Sequence, residues 1–116
     1  MSNDLIFRSA VELLDLYRKK EVSPVEVTKE VFEQIHKVNP VFNVFCVHDE
    51  ERALASAKES EARWIKGQPI GLVDGIPTTV KDLILAKNWP TLRGSRTIDP
   101  NQAWTVLVSV LVASCP

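Results

Sequence analysis

Two helix-start signatures lying close together constrain this chain most. Ser9-Ala10-Val11-Glu12 and Ser23-Pro24-Val25-Glu26 each put a serine three residues ahead of a glutamate. In such a box the serine hydroxyl accepts from the amide of the third helical residue, and the glutamate reaches back to the serine amide. Pro24 strengthens the second start, because its fixed φ suits the first helical position. The first helix is expected to run to about Lys20, with Val11, Leu14 and Tyr17 or Arg18 as its apolar stripe. Lys19 and Lys20 suit the negative end of its dipole. In the second helix Val27, Val31, Ile35 and Val38 share a face, with Phe32 beside them. Asn39-Pro40 is expected to stop it, since a proline ring disfavours helical geometry in the residue before it.

Beyond that break the period changes. Phe42 to His48 alternates and predicts a strand, with Phe42, Val44, Cys46 and His48 on one face. Asp49 is placed to cap a third helix from Glu50 to about Lys66, rich in alanine, with Leu54, Ala57, Glu61 and Ile65 along one side. Gly67 should end it in the left-handed conformation. Gly67, Pro69, Gly71, Gly75 and Pro77 then mark a loop. Ile76 to Leu85 reads as a second strand with its continuation, and Lys87 to Trp104 reads as loop. The chain reads as a small α/β-type fold.

Composition narrows the function classes. With 116 residues, 45% hydrophobic and 25% charged, the chain is globular in character and of one-domain size. A net charge of -1 lacks the basic footprint of a nucleic-acid or anionic-membrane binder, so no nucleic acid and no membrane are expected as partners. The apolar run Val106 to Ala113 is too short to span a bilayer, and Met1 to Arg8 shows no secretory signal. Cys46 and Cys115 make no disulfide framework, so a reducing, cytoplasmic setting is expected.

Most candidate chemistry has a plain structural reading. Cys46 and His48 could form a nucleophile–base pair on one strand face, but a cysteine in an apolar strand more often serves as a small hydrophobe. His36 reads as a surface or capping residue, and Glu50, Glu51, Glu59 and Glu61 as a solvated helix face. Two His and two Cys without close paired spacing make no zinc site, and the glycines match no phosphate-cradling loop. Neither a metal nor a cofactor is therefore expected. Lys81 stands apart: it lies among β-formers, alternating with Thr79 and Leu83 on one face. Burial there would lower its pKa and suit it to general-base work, whereas a lone strand lysine is more usually an edge charge.

The segment Gly75-Ile76-Pro77-Thr78-Thr79-Val80-Lys81-Asp82 resembles the amidase signature family, whose motif has the form Gly-Ile/Val-Pro-x-x-Val-Lys-Asp. Pro90-Thr91-Leu92-Arg93-Gly94-Ser95 resembles the family's following Pro-Thr-x-x-Gly-Ser stretch. Ser23-Pro24, Asn39-Pro40, the segment Phe42 to Val47 and the alanine-rich helix fall in the family's order, so the likeness runs from about Leu5 to Trp104. It implies a mixed sheet flanked by helices, of which this chain holds the N-terminal helices and first strands. It also implies an amidase that hydrolyses a small-molecule carboxylic amide through a Ser–cis-Ser–Lys triad, with Lys81 as the triad lysine. A neutral lysine there takes a proton from the bridging serine, which activates the serine that attacks the carbonyl.

The family's Gly-Gly-Ser-Ser-Gly-rich stretch, which carries both serines, does not occur in these 116 residues. Residues 1–104 are accordingly expected to be the N-terminal part of an amidase domain, and 105–116 an apolar tail that departs from the family pattern. Such a piece is expected to be inactive alone. Two alternatives carry weight: a non-catalytic module that forms a homodimer through Val27, Val31 and Ile35, and the amidase-like subunit of a tRNA-dependent amidotransferase. Nothing from Thr105 to Cys115 is charged, and the run is rich in β-formers, so poor solubility is also expected.

Overall fold

The computed structural model describes residues 5–101 and 112–114. A 3-10 turn at Leu5–Phe7 precedes α1 (Ala10–Lys19), α2 (Pro24–Phe42), α3 (Glu50–Ile65), β1 (Thr79–Lys81) and β2 (Val112–Ser114). The chain divides into two compact units, Met1–His36 with Glu50–Pro77 and Lys37–Asp49 with Thr78–Pro116.

Both capping boxes form. Glu12 N donates to Ser9 Oγ while Ser9 N donates to Glu12 Oε2, and Ser23 and Glu26 exchange the same two bonds. Helix α1 ends at Lys20, which turns left-handed at φ 60° and donates its N–H to the Leu16 and Tyr17 carbonyls. Its buried stripe is Leu13 and Tyr17; Val11, expected inside, is 77% exposed. A pair four residues apart lies on one face, and here that face is set by the large Tyr17 ring. Leu13, Tyr17 and Val27 form a core onto which Leu14, Leu16, Val22, Val31, Trp64 and Ile76 pack. The Tyr17 and Trp64 rings meet at 5.8 Å and 54°, a tilted arrangement favourable for aromatic pairs.

Helix α2 overruns its predicted stop: Pro40 lies inside it, and the helix continues to Phe42. A proline in the last turn removes one intrahelical donor close to where the ladder ends anyway. The stop comes at Asn43, left-handed at φ 49°, whose N–H donates to the Asn39 carbonyl. Asn39 Oδ1 accepts from Phe45 N at 2.9 Å. That bond draws residues 43–45 back toward the helix end, so the strand predicted over Phe42–His48 does not form, and Val47 alone makes an isolated bridge. In α3 the buried residues are Ala53, Ala57 and Ser60, while the predicted Ile65 is 62% exposed. Small side chains let this helix approach closely, and the bulky Ile65 is left outside. Gly67 ends the segment at φ 68°, as its sequence context predicts.

In the second unit β1 and β2 pair in parallel, with Thr79 opposite Val112, Val80 opposite Ala113 and Lys81 opposite Ser114. Parallel pairing between segments distant in sequence belongs to α/β architecture. Ala86 and Trp89 form a small core with Val47 and Val80 against it. The strand predicted over Ile76–Leu85 contracts to Thr79–Lys81. A turn follows at once, in which Ile84 N donates to the Lys81 carbonyl. Of the tail expected at 105–116, residues 112–114 are strand β2 and the remainder lies outside the described residues.

Candidate active site

The first unit grips the approach to the lysine motif. Arg63, in the last turn of α3, makes a bidentate pair with Asp74: Nε donates to Oδ2 at 2.8 Å and Nη2 to Oδ1 at 2.7 Å. Trp64 Nε1 donates to the Asp74 carbonyl and Tyr17 OH to the Gly75 carbonyl, each at 3.1 Å. Ile70 N donates to Asp74 Oδ2, which closes the turn from its other end. The paired guanidinium is the chief reason the Asp74 carboxyl titrates at about 2, well below its ordinary 3.8, and the Ile70 amide adds to it. The same pair holds the Arg63 proton more tightly than usual, and burial raises the Tyr17 phenol. Gly75 has φ 83°, and a Cβ built on it would stand 2.5 Å from Ser60 Oγ and 2.8 Å from Pro24 Cγ. Glycine is required there by both backbone and space.

In the second unit Lys81 closes β1. Its side chain is exposed, on the face it shares with exposed Thr79, as the edge-charge reading of a lone strand lysine has it. Among the described residues Lys81 makes no ion pair. Asp82, in the turn that follows β1, is 7% exposed. Its Oδ1 accepts from Leu92 N at 2.8 Å, its Oδ2 from Gly94 N at 3.3 Å, and its carbonyl from Arg93 N at 3.2 Å. Thr91 Oγ1 donates to the Ile84 carbonyl. Asp82, the last residue of the lysine motif, is thereby tied to the second motif stretch, 90–95.

The other candidates disperse. Cys46 sits in a bend rather than a strand. Without the strand, Cys46 and His48 share no face as a nucleophile–base pair. His36 Nε2 pairs with Glu50 Oε2 at 2.8 Å, an exposed tie between α2 and α3. Val27 and Ile35, offered as a dimer face, are 1% and 4% exposed within this chain, so that face is already covered. Among the described residues no group of three or more His, Cys, Asp and Glu side chains could hold a metal, and no helix is long and apolar enough to cross a membrane.

The Arg63–Asp74–Tyr17–Trp64 clamp escapes sequence reasoning, because it joins residues from three separate segments. Asp74-Gly75, a turn dipeptide ahead of the strand, is the one local signal for it.

Known proteins resemble this chain in sequence and fold. The amidase family profile matches residues 26–112. A glutamyl-tRNA(Gln) amidotransferase subunit of Acidothermus cellulolyticus is 35% identical over 97 residues, which cover 84% of this chain and 19% of that protein. The protein of the same name from Clostridium botulinum is 40% identical over 90 residues, 78% of this chain and 19% of its own length. This chain thus spans about a fifth of these relatives. Among solved structures, a bacterial aryl acylamidase of the amidase signature family aligns with a TM-score of 0.79 and 27% identity, over 92% of this chain and 25% of that one. A structure from work on a vestigial protein complex and an s-triazine catabolic enzyme aligns at 0.73 with 21% identity, a likeness of fold.

Proposed function

The chain belongs to the amidase family, and from that premise we propose that it supplies the general-base lysine of an amide hydrolase. The observation that carries this reading is the placement of Lys81: it ends β1 within the matched segment, exposed, with Asp82 anchored behind it. In the complete reaction Lys81, in its neutral form, takes the proton of a bridging serine. That serine deprotonates a second one, which attacks the amide carbonyl; amine or ammonia leaves, and water then releases the acid. Backbone amides stabilise the oxyanion. The two serines belong to a part of the amidase domain outside these 116 residues. That part also desolvates Lys81, which is exposed among the described residues. The substrate is a small-molecule carboxylic amide, and the setting is cytoplasmic.

The test is complementation. The purified 116-residue chain should not hydrolyse an aryl amide. Residues 5–101 grafted in place of the equivalent segment of the aryl acylamidase should restore turnover to the hybrid. Turnover by the isolated chain, or a folded hybrid without activity, contradicts the proposal.

A second reading rests on the relatives' names. Several proteins 35–40% identical to this chain are components of an amidotransferase acting on glutamyl-tRNA(Gln). Under this reading the partners are the other subunits and the charged tRNA, reached through the assembly rather than through a basic surface of this chain, whose net charge is -1. A hybrid made with the amidotransferase component separates this reading from the first: it should release ammonia from glutamine in preference to cleaving aryl amides.

A further inference from the structure

We infer that Asp82 is a positioning residue for Lys81, fastening the Thr91–Ser95 loop to the end of β1 so that the lysine leaves the strand at a fixed point. The inference rests on the reading of Lys81 as the base.

Three consecutive backbone N–H groups, of Leu92, Arg93 and Gly94, all end on Asp82, two on its carboxylate and one on its carbonyl. Arg93 and Gly94 are both left-handed, at φ 53° and 66°. An arginine takes that conformation at a cost, so something must hold it there. The surrounding bonds do so: Ser95 N donates to the Leu92 carbonyl, and Thr91 Oγ1 to the Ile84 carbonyl. The carboxylate is buried, and no cation pairs with it among the described residues. Converging amide N–H groups form a concave anion site of the kind that accepts a phosphate elsewhere. Here the anion is the chain's own side chain.

The arrangement matters for Lys81, the residue next to Asp82. In the turn that follows β1 the Asp82 carboxylate is engaged by the Leu92 and Gly94 amides. A carboxylate free to swing round would pair with the neighbouring amine and hold it charged, which is the wrong state for a base. Satisfying Asp82 with amides removes that competitor and, at the same time, pins the backbone from which Lys81 projects.

The test has two arms. On the 116-residue chain, hydrogen exchange is followed for the Leu92, Arg93 and Gly94 amides in the parent, Asp82→Asn and Asp82→Ala. Exchange at all three should rise at least tenfold in Asp82→Ala and less in Asp82→Asn, which keeps one acceptor oxygen. The Trp64 indole N–H in the other unit should be unmoved. Unchanged exchange in Asp82→Ala overturns the inference, as does an equal rise at the Trp64 indole, which would mean general unfolding. In the active hybrid, Asp82→Ala should lower kcat at least tenfold with KM within about twofold and the pH–rate profile unshifted, with partial recovery in Asp82→Asn. Parent-like kcat alongside accelerated exchange overturns the positioning role. If Lys81→Ala leaves the hybrid fully active, it is the base reading that fails, whatever the exchange arm shows.

Discussion

The Arg63–Asp74 pair makes the stability of the first unit depend on acid in a calculable way. The folded-state carboxyl of Asp74 titrates at about 2 against an ordinary 3.8. At about 1.36 kcal/mol per unit, that difference approaches ~2.5 kcal/mol. Arg63 is 28% exposed, so water screens part of the attraction, whereas Asp74 is 4% exposed and well shielded. A contribution of about 1–2 kcal/mol is the discounted expectation. A carboxyl whose folded pKa is depressed stabilises fully above its unfolded value, and that stability is lost as pH falls through its folded value. The contribution should be complete by about pH 5 and gone by about pH 1. The perturbation is Asp74→Asn, which keeps the shape but loses the charge and one of the two acceptors for Arg63. Urea unfolding followed by tryptophan fluorescence should show a loss of about 1–2 kcal/mol at pH 7, shrinking steeply as pH falls toward about 2. An Arg63→Met partner completes a double-mutant cycle, which should return most of the loss as coupling. A pH-independent loss, or a coupling under about 0.3 kcal/mol, would refute the argument that this pair clamps the loop.

Other consequences are simpler. Gly75→Ala meets both an unfavourable φ of 83° and atoms at 2.5 and 2.8 Å, so it should cost more than about 2 kcal/mol in the same unfolding assay. Tyr17→Phe leaves the Gly75 carbonyl without its phenol donor while keeping the ring contact with Trp64, and should cost about 1 kcal/mol. Ser23→Ala removes the hydroxyl that accepts from Glu26 N, for a loss of about 1 kcal/mol read as a lowered melting temperature. His36→Gln breaks an exposed contact with Glu50 and should change stability by less than about 0.5 kcal/mol at neutral pH.

What is legible in the sequence is local. The capping boxes at Ser9 and Ser23 and the left-handed stop at Gly67 are decided by neighbours within a few residues, and the structure has them where the pattern puts them. The stripe positions are less legible. Val11 and Ile65 fit a helical period as well as Leu13 and Ala57 do, and only the surface opposite decides which set is buried. Pro40 misleads because its effect depends on how many turns remain, and here the helix is already ending. The strand at Phe42–His48 fails for a tertiary reason: Asn39 captures the Phe45 amide before the chain can extend. The motif singles out Lys81 in the sequence, and its exposure agrees with the usual reading of a lone strand lysine as an edge charge. Asp82 and Asp74 look like ordinary charges beside a lysine and a glycine. Their roles come from amides and a guanidinium about ten residues away in sequence, which no local pattern reports.

If Lys81 acts as the base of an amide hydrolase, the single-turnover rate of acyl-enzyme formation in the active hybrid must differ between Lys81 and Lys81→Ala. General-base removal typically costs about 10²–10⁴-fold. The acylation rate should fall at least about 10²-fold, with substrate binding retained and the fold unchanged by circular dichroism. An acylation rate in Lys81→Ala within a few-fold of the parent would contradict it.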